Sequence, residues 1–315
     1  MARFCPPFAS VEQFEETRDE LVSAYRACLG SMPEPCALQP RTLEREDRGD
    51  YIREKLEYRV EPGEAAVPAY VLIPRGVKLP RPGVVCLHQH GGQFALGKSE
   101  QVGRIGSPLQ QVALELVRLG YVTIAADSRC FEQRSKYWDG DGIYAHSLLI
   151  QGRTLAGAFA WDIQREIDYF CSREEVDSER IGVIGHSMGS MQAALMLPIE
   201  PRIKVAVASQ GTKLYEKMVE RGDNFPWAYQ LPGFYNHADL DALYWLGAPR
   251  PLMLTGRRQD SVSHLADQEE VERRVRSVYA LVGAEEKFTY VREDGGHGFG
   301  DDLRRQAYAW LNRWL

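Results

Sequence analysis

The chain has 315 residues, 44% of them hydrophobic and 26% charged, with a formal net charge of −6. That balance fits a globular protein with a sizeable core, and the acidic charge with scattered Lys and Arg excludes nucleic acid and an anionic membrane surface as main partners. The longest apolar runs are strand-sized, far short of the roughly 20 residues a membrane helix needs, and the stretch Met1-Ala2-Arg3-Phe4-Cys5-Pro6-Pro7 has no signal-type apolar core, so a cytoplasmic protein is expected.

Residues 11–29 carry Phe14, Leu21, Tyr25 and Cys28 at helical spacing, which reads as an amphipathic helix. Residues 1–50 are therefore expected to form a helical extension packed on one catalytic domain spanning 51–315. From 51 to 74 the pattern turns to alternation on either side of Glu61-Pro62-Gly63-Glu64, the signature of a hairpin at a sheet edge. Residues 83–88 make a short apolar strand, followed at once by Gln89-His90-Gly91-Gly92. A Gly-rich turn there either is an ordinary tight connection or leaves backbone N–H groups aimed at a ligand.

A helix at 109–119 and a buried strand at 121–127 follow. Alternating strands and helices predict a mostly parallel sheet covered on both faces. Residues 128–160, aromatic and Gly-rich, read as an irregular insertion, and 161–170 as a helix. Residues 181–184 are an apolar strand that ends in Gly185-His186-Ser187-Met188-Gly189 before a buried helix at 191–197. This is the context of a nucleophile elbow, in which a Ser on a sharp strand-to-helix turn needs Gly on both sides because side chains there would collide. A strand at 203–208, a second aromatic insertion at 213–240, a strand at 251–256, a helix at 266–282, a strand at 288–291 and a helix at 303–315 complete the chain.

A Ser hydroxyl needs a general base, and the base needs a carboxylate to hold its tautomer. In chain order the candidates are Ser187, Asp260 after one strand end and His297 in a Gly-rich turn after another. Asp294 and Asp301 compete for the acid role, and Asp260 could instead cap the next helix. Asp127, Arg129 and Arg134 read as a structural ion-pair cluster. The six cysteines form no Cys-x-x-Cys pair, and His88 and His90 have no third ligand nearby in sequence. No metal and no cofactor are expected.

Taken together, Leu87-His88-Gln89-His90-Gly91-Gly92, Asp127-Ser128-Arg129, Gly185-His186-Ser187-Met188-Gly189, Pro249-Arg250-Pro251 with Gly256 and Asp260, and Gly295-Gly296-His297 resemble the α/β-hydrolase superfamily. The nearest likeness within it is to the dienelactone-hydrolase-like and acetyl-xylan-esterase-like serine esterases. The resemblance covers residues from about 51 to the C-terminus and implies an oxyanion hole from the N–H of Met188 plus one loop donor. Alignment by strand end points to His90 for that donor, and alignment by His-Gly points to Gly92. Two positions depart from these groups, a Ser in place of the dienelactone-hydrolase Cys and Met188 in place of the acetyl-xylan-esterase Gln, so substrate is not specified. The expected activity is hydrolysis of a small-molecule ester through an acyl-enzyme. A peptidase or amidase, a carbon–carbon bond hydrolase and a non-catalytic binding protein are alternatives on the same fold. The two aromatic insertions make Trp138, Trp227 and Tyr229 the candidate substrate-binding residues, in a partly covered, mostly apolar pocket. Nothing in the sequence specifies an oligomeric state.

Overall fold

The computed structural model describes residues 3–135 and 140–315. The chain opens with α1 (Val11–Cys28), whose buried residues Phe14, Thr17, Leu21 and Tyr25 fall at steps of three and four. Ser10 caps it by accepting a hydrogen bond from the Gln13 amide, which satisfies one donor that a helix start leaves unpaired. Strands β1 (Arg41–Asp47), β2 (Tyr51–Tyr58) and β3 (Val67–Pro74) form an antiparallel meander. There follow β4 (Arg81–Leu87), α2 (Lys98–Gln101), α3 (Val112–Arg118), β5 (Val122–Ala126), α4 (Gly142–Ile150) and α5 (Leu155–Cys171). The second half runs β6 (Val176–His186), α6 (Met188–Met196), β7 (Ile203–Ser209), α7 (Tyr215–Arg221), α8 (Ala242–Trp245), β8 (Leu252–Arg257), α9 (Leu265–Leu281), β9 (Phe288–Glu293) and α10 (Asp301–Trp314).

All nine strands form one sheet in the order β1-β2-β3-β5-β4-β6-β7-β8-β9, parallel from β5 to β9. Two cores flank it. Val85 and Leu87 of β4 face the core that contains α5, α6 and α9, while Val84 and Cys86 face the one built with α3 and α10. Burial on both faces is why the central strands read as unbroken apolar runs. The α/β-hydrolase fold expected from the sequence is the one present. No helix among the described residues is long and apolar enough to cross a membrane.

Two segments differ from the sequence reading. The 51–74 hairpin lies one strand in from the edge, because β1 covers it. That strand, Arg-Thr-Leu-Glu-Arg-Glu-Asp, shows no apolar alternation since both its faces are exposed, and it is held by cross-strand ion pairs such as Arg41 with Glu57 and Lys55 with Glu44. Charge of this kind keeps an exposed edge from pairing with other chains. The insertion at 128–160 is also less irregular than expected, holding α4 and the first turns of α5. Thr154 caps α5 by accepting from the Gly157 amide at 2.9 Å and donates to the Leu29 carbonyl at 2.8 Å. A Cβ on Gly157 would stand 2.1 Å from that same carbonyl, so the small residue is what lets the end of α1 dock on α5.

The Asp127 cluster is ionic, with a different partner from the one expected. The fully buried Lys98 donates to Asp127 and Glu132 at 2.7 Å each. Arg129 and Arg134 turn instead to Asp162, at 2.7 and 2.6 Å. Sequence separation hid Lys98, which lies 29 residues before Asp127. Removing one partner of such a group leaves an uncompensated buried charge, which costs about 3–5 kcal/mol. Burial lifts the Asp127 carboxyl pKa to about 7, so Lys98→Met should lower the unfolding free energy by roughly that 3–5 kcal/mol in urea titration at about pH 8.5, where the carboxyl is ionised, whereas a loss below about 1 kcal/mol would mean that the two carboxylates are not charged in the fold.

Candidate active site

Strand β6 delivers Ser187 at its end. The residue has φ 57° and ψ −114°, a conformation that non-glycine residues rarely adopt and that surrounding structure must enforce. A Cβ at Gly185 would lie 2.2 Å from the carbonyl oxygen of Gly189, and one at Gly189 would lie 2.2 Å from that of Leu87. Both glycines are thus required by close backbone approach, and the strain is held from the side by the Ser187 amide, which donates to the Ser209 carbonyl at 2.8 Å. Met188 is the first residue of α6, where amides have no acceptor inside the helix.

The structure brings Ser187, His297 and Asp260 together. Nε2 of His297 is 2.9 Å from Oγ of Ser187, and Nδ1 is 2.9 Å from Oδ2 of Asp260. A carboxylate only accepts, so Nδ1 carries the ring proton and Nε2 presents its lone pair to the hydroxyl. The other oxygen of Asp260 accepts from the amides of Val262 and Ser263 at 2.7 and 3.1 Å. Burial acts to raise the Asp260 pKa, but His297 and those two amides outweigh it and hold the carboxyl below its ordinary value. The acid does not cap α9, which begins at Leu265. Of its competitors, Asp294 is exposed and paired with Arg258, and Asp301 opens α10 paired with Arg304.

Gln210 and His186 adjoin this chain, and His88 lies in the loop that follows β4. The side-chain amide of Gln210 donates to the Gly298 carbonyl and accepts from the Gly298 amide, both at 2.6 Å, which fixes the backbone next to His297. Gln210 belongs to no motif, and nothing in the sequence marks it. His186 lies beneath the site, its ring 4.9 Å from that of His297 and stacked on Phe299. Burial, reinforced by the neighbouring His297, pushes its pKa down to about 3. His88 is pushed down to about 4, chiefly by burial. Its Nε2 accepts from the Ser128 amide at 3.0 Å and its Nδ1 donates to the Gln89 carbonyl at 2.8 Å, so both nitrogens are committed to backbone.

Beyond these three residues opens a cleft of about 960 Å³ lined by Ser187, Met188, His297 and residues of the loops at 90–92 and 223–230. Trp227 and Tyr229 both line it, but Tyr229 is also a strut whose hydroxyl donates to the Gly211 carbonyl at 2.6 Å. The Trp227 ring sits 4.4 Å from that of His146 on α4, so the two insertions meet there. Trp138 lies outside the described residues. Phe234 and Tyr235 serve the fold instead, against Tyr25 and Tyr215. The lining also includes the charged residues Asp141, Lys213 and Asp223, which no periodicity revealed. His90 and Gly92 both reach the cleft, and the Gly92 amide donates to Nδ1 of His90 at 3.0 Å.

Residues 1–290 match the model of the Abhydrolase family. The Bacillus subtilis (strain 168) protein YtaP, which bears the provisional name of a hydrolase, is 30% identical over 290 residues, covering 91% of this chain and 96% of its own. Among solved structures, a Bacteroides fragilis NCTC 9343 protein provisionally named an acetyl xylan esterase superposes with a TM-score of 0.77 at 20% identity, over 93% of this chain and 78% of that one. A glucuronoyl esterase from Solibacter usitatus superposes with a TM-score of 0.75 at 16% identity, over 98% and 95% of the two chains.

The two depressed histidines make stability depend on pH. In the unfolded chain an imidazole protonates near pH 6.5, while His88 and His186 stay neutral in the fold down to about 4 and about 3. The unfolded state therefore binds more protons below pH 6.5, and folded stability falls as pH drops from about 6.5 towards 4. Each ring adds a slope of up to about 1.4 kcal/mol per pH unit. His186→Asn should remove one ring's share of that slope in urea unfolding measured across this window, and an unchanged slope would mean that the ring titrates alike in both states.

Proposed function

The chain belongs to the Abhydrolase family, and we propose that it is a serine carboxylic-ester hydrolase working through an acyl-enzyme. One observation carries the reading, the continuous chain from Ser187 through His297 to Asp260 with both links at 2.9 Å. Ser187 attacks the ester carbonyl while Nε2 of His297 takes its proton, and Asp260 stabilises the imidazolium that forms. The oxyanion is met by the amides of Met188 and His90. Gly92 is the weaker candidate, since its amide is already bound to the His90 ring. His297 then returns the proton to the leaving alcohol, and water activated by the same nitrogen releases the acid and frees Ser187.

The names of the similar structures support an ester over an amide, and the limited cleft volume of about 960 Å³ beside Ser187 supports a small substrate over a long lipid. Trp227 limits the acyl side. Wild type should hydrolyse p-nitrophenyl acetate and butyrate with higher kcat/KM than the palmitate and should leave peptide anilides untouched. Ser187→Ala should keep the circular-dichroism spectrum and lose at least 10³-fold in kcat. A variant with a tenth of wild-type activity would remove Ser187 from the mechanism. Trp227→Ala should move the optimum towards octanoyl, and rates rising steadily from butyryl to palmitoyl in both proteins would sink the size argument.

A further inference from the structure

Lys213 lines the same cleft as Ser187 and His297, yet the triad chemistry gives it no task. It follows β7 by four residues, only 8% of it is exposed, and its Nζ donates to the Val262 carbonyl at 2.5 Å. Among the described residues no carboxylate lies within ion-pair distance of it. An ammonium has three donors and is costly to bury without compensation. Here one donor has an acceptor, and that acceptor is neutral.

The acids around Lys213 are held by other groups. Arg221 pairs with Asp223 at 2.7 Å and with the fully buried Asp267 at 2.6 Å. Asp260 is bound by His297 and by two amides. Asp141, which also lines the cleft, is 3.8 Å from Nε2 of His90. Burial pulls the Lys213 pKa below its ordinary value, with Asp223 and Asp267 acting against that and Arg221 with it. The cleft therefore contains a desolvated cation that, among the described residues, no carboxylate contacts: Asp223, Asp267 and Asp260 are bound by other groups, and Asp141 forms no ion pair with it.

We propose that Lys213 is a specificity-determining residue that binds a carboxylate of the substrate, so that the protein prefers esters bearing a free acid group over their neutral counterparts. The proposal rests on the ester-hydrolase reading for the reaction and on the cleft geometry for the binding. A carboxylate would supply the missing anion and occupy the two remaining donors, and charge-assisted bonds in a desolvated site are the strong ones. A site built for such a group also discriminates against an analogue without it, because the cation is then left unpaired.

The experiment has a binding arm and a kinetic arm. Binding is measured by calorimetry on Ser187→Ala with 4-acetoxybenzoate and its neutral methyl ester, and again on the Ser187→Ala, Lys213→Met double variant. The acid should bind on the order of tenfold or more tighter than the methyl ester, and the double variant should lose that difference. Equal affinities both in this pair and in monomethyl and dimethyl adipate measured the same way, or a preference that survives removal of Lys213, would overturn the proposal whatever reaction the protein catalyses. Kinetically, the ratio of kcat/KM for acid over neutral substrate is followed in two pairs, 4-acetoxybenzoate with its methyl ester and monomethyl with dimethyl adipate, to find which side of the ester carries the charge. Lys213→Met should lower that ratio by tenfold or more in at least one pair, and Lys213→Arg should retain part of it. A Lys213→Met protein that loses both members equally would reduce the residue to a prop for the 260–263 turn and overturn the proposal. Selective binding of the acid without hydrolysis of any ester would instead uphold Lys213 and remove the ester-hydrolase reading.

Discussion

The site depends on a lateral hydrogen-bond ladder that does not stop where the strands do. Past the end of β6 the Ser187 amide donates to Ser209 at 2.8 Å, past β7 the Gln210 amide donates to Thr255 at 2.9 Å, and past β8 the Arg258 amide donates to Glu293 at 2.9 Å. Ser187, the turn containing Asp260 and the turn containing His297 thus hang from consecutive rungs of one parallel sheet. This is the reason three residues far apart in sequence meet within hydrogen-bond distance, at the carboxyl ends of the strands where open α/β sheets gather their sites. Backbone strain at Ser187 costs on the order of 1–3 kcal/mol. The close contacts of Gly185 with Gly189, and of Gly189 with Leu87, leave α6 no other seat against β4.

Loops beyond the ladder are fixed by buried charge rather than by apolar packing. Lys98 joins the start of α2 to the segment after β5, and Arg129 joins that segment to Asp162 on α5 and to Glu61 in the β2–β3 turn. Such groups do little for net stability compared with apolar residues of equal volume, but each is severe to break. They also specify one arrangement of loops that carry several glycines. The turn with His90 and Gly92 is tied into this scaffold through Gln89, whose side chain donates to Glu100 at 3.0 Å.

What was legible in the sequence follows from which forces leave local marks. The parallel strands were readable because burial on both faces makes them continuously apolar, and the elbow because close approach demands Gly185 and Gly189. Position of Asp260 and His297 after strand ends was enough to bring them forward as partners for Ser187. By contrast β1 was invisible, since an exposed edge strand gains its order from its neighbour and not from its own pattern. Lys98 and Gln210 were equally hidden, because each acts on a residue 29 or more positions away and neither sits in a motif. The aromatic insertions announced themselves by composition, yet composition could not separate Trp227, which faces the cleft, from Phe234, which packs beneath α1.

That last distinction has a physical basis. The segment from Lys213 to Gln230 is held by side chains rather than by strand pairing. The Tyr215 hydroxyl donates to the Tyr229 carbonyl, the Tyr229 hydroxyl donates to the Gly211 carbonyl, and Asp239 accepts from the amides of Tyr215 and Glu216. Of these contacts only the one to Gly211 adjoins the ladder that fixes Ser187, Asp260 and His297, next to the rung at Gln210. The wall of the cleft can therefore change in shape and charge with substitutions that leave the sheet's register alone, whereas a change at Gly185 or Gly189 alters the register itself. Reaction class is accordingly written in backbone geometry, which many sequences share, and substrate preference, on the proposals made above, in a few side chains such as Lys213 and Trp227, which fold-level similarity does not transmit.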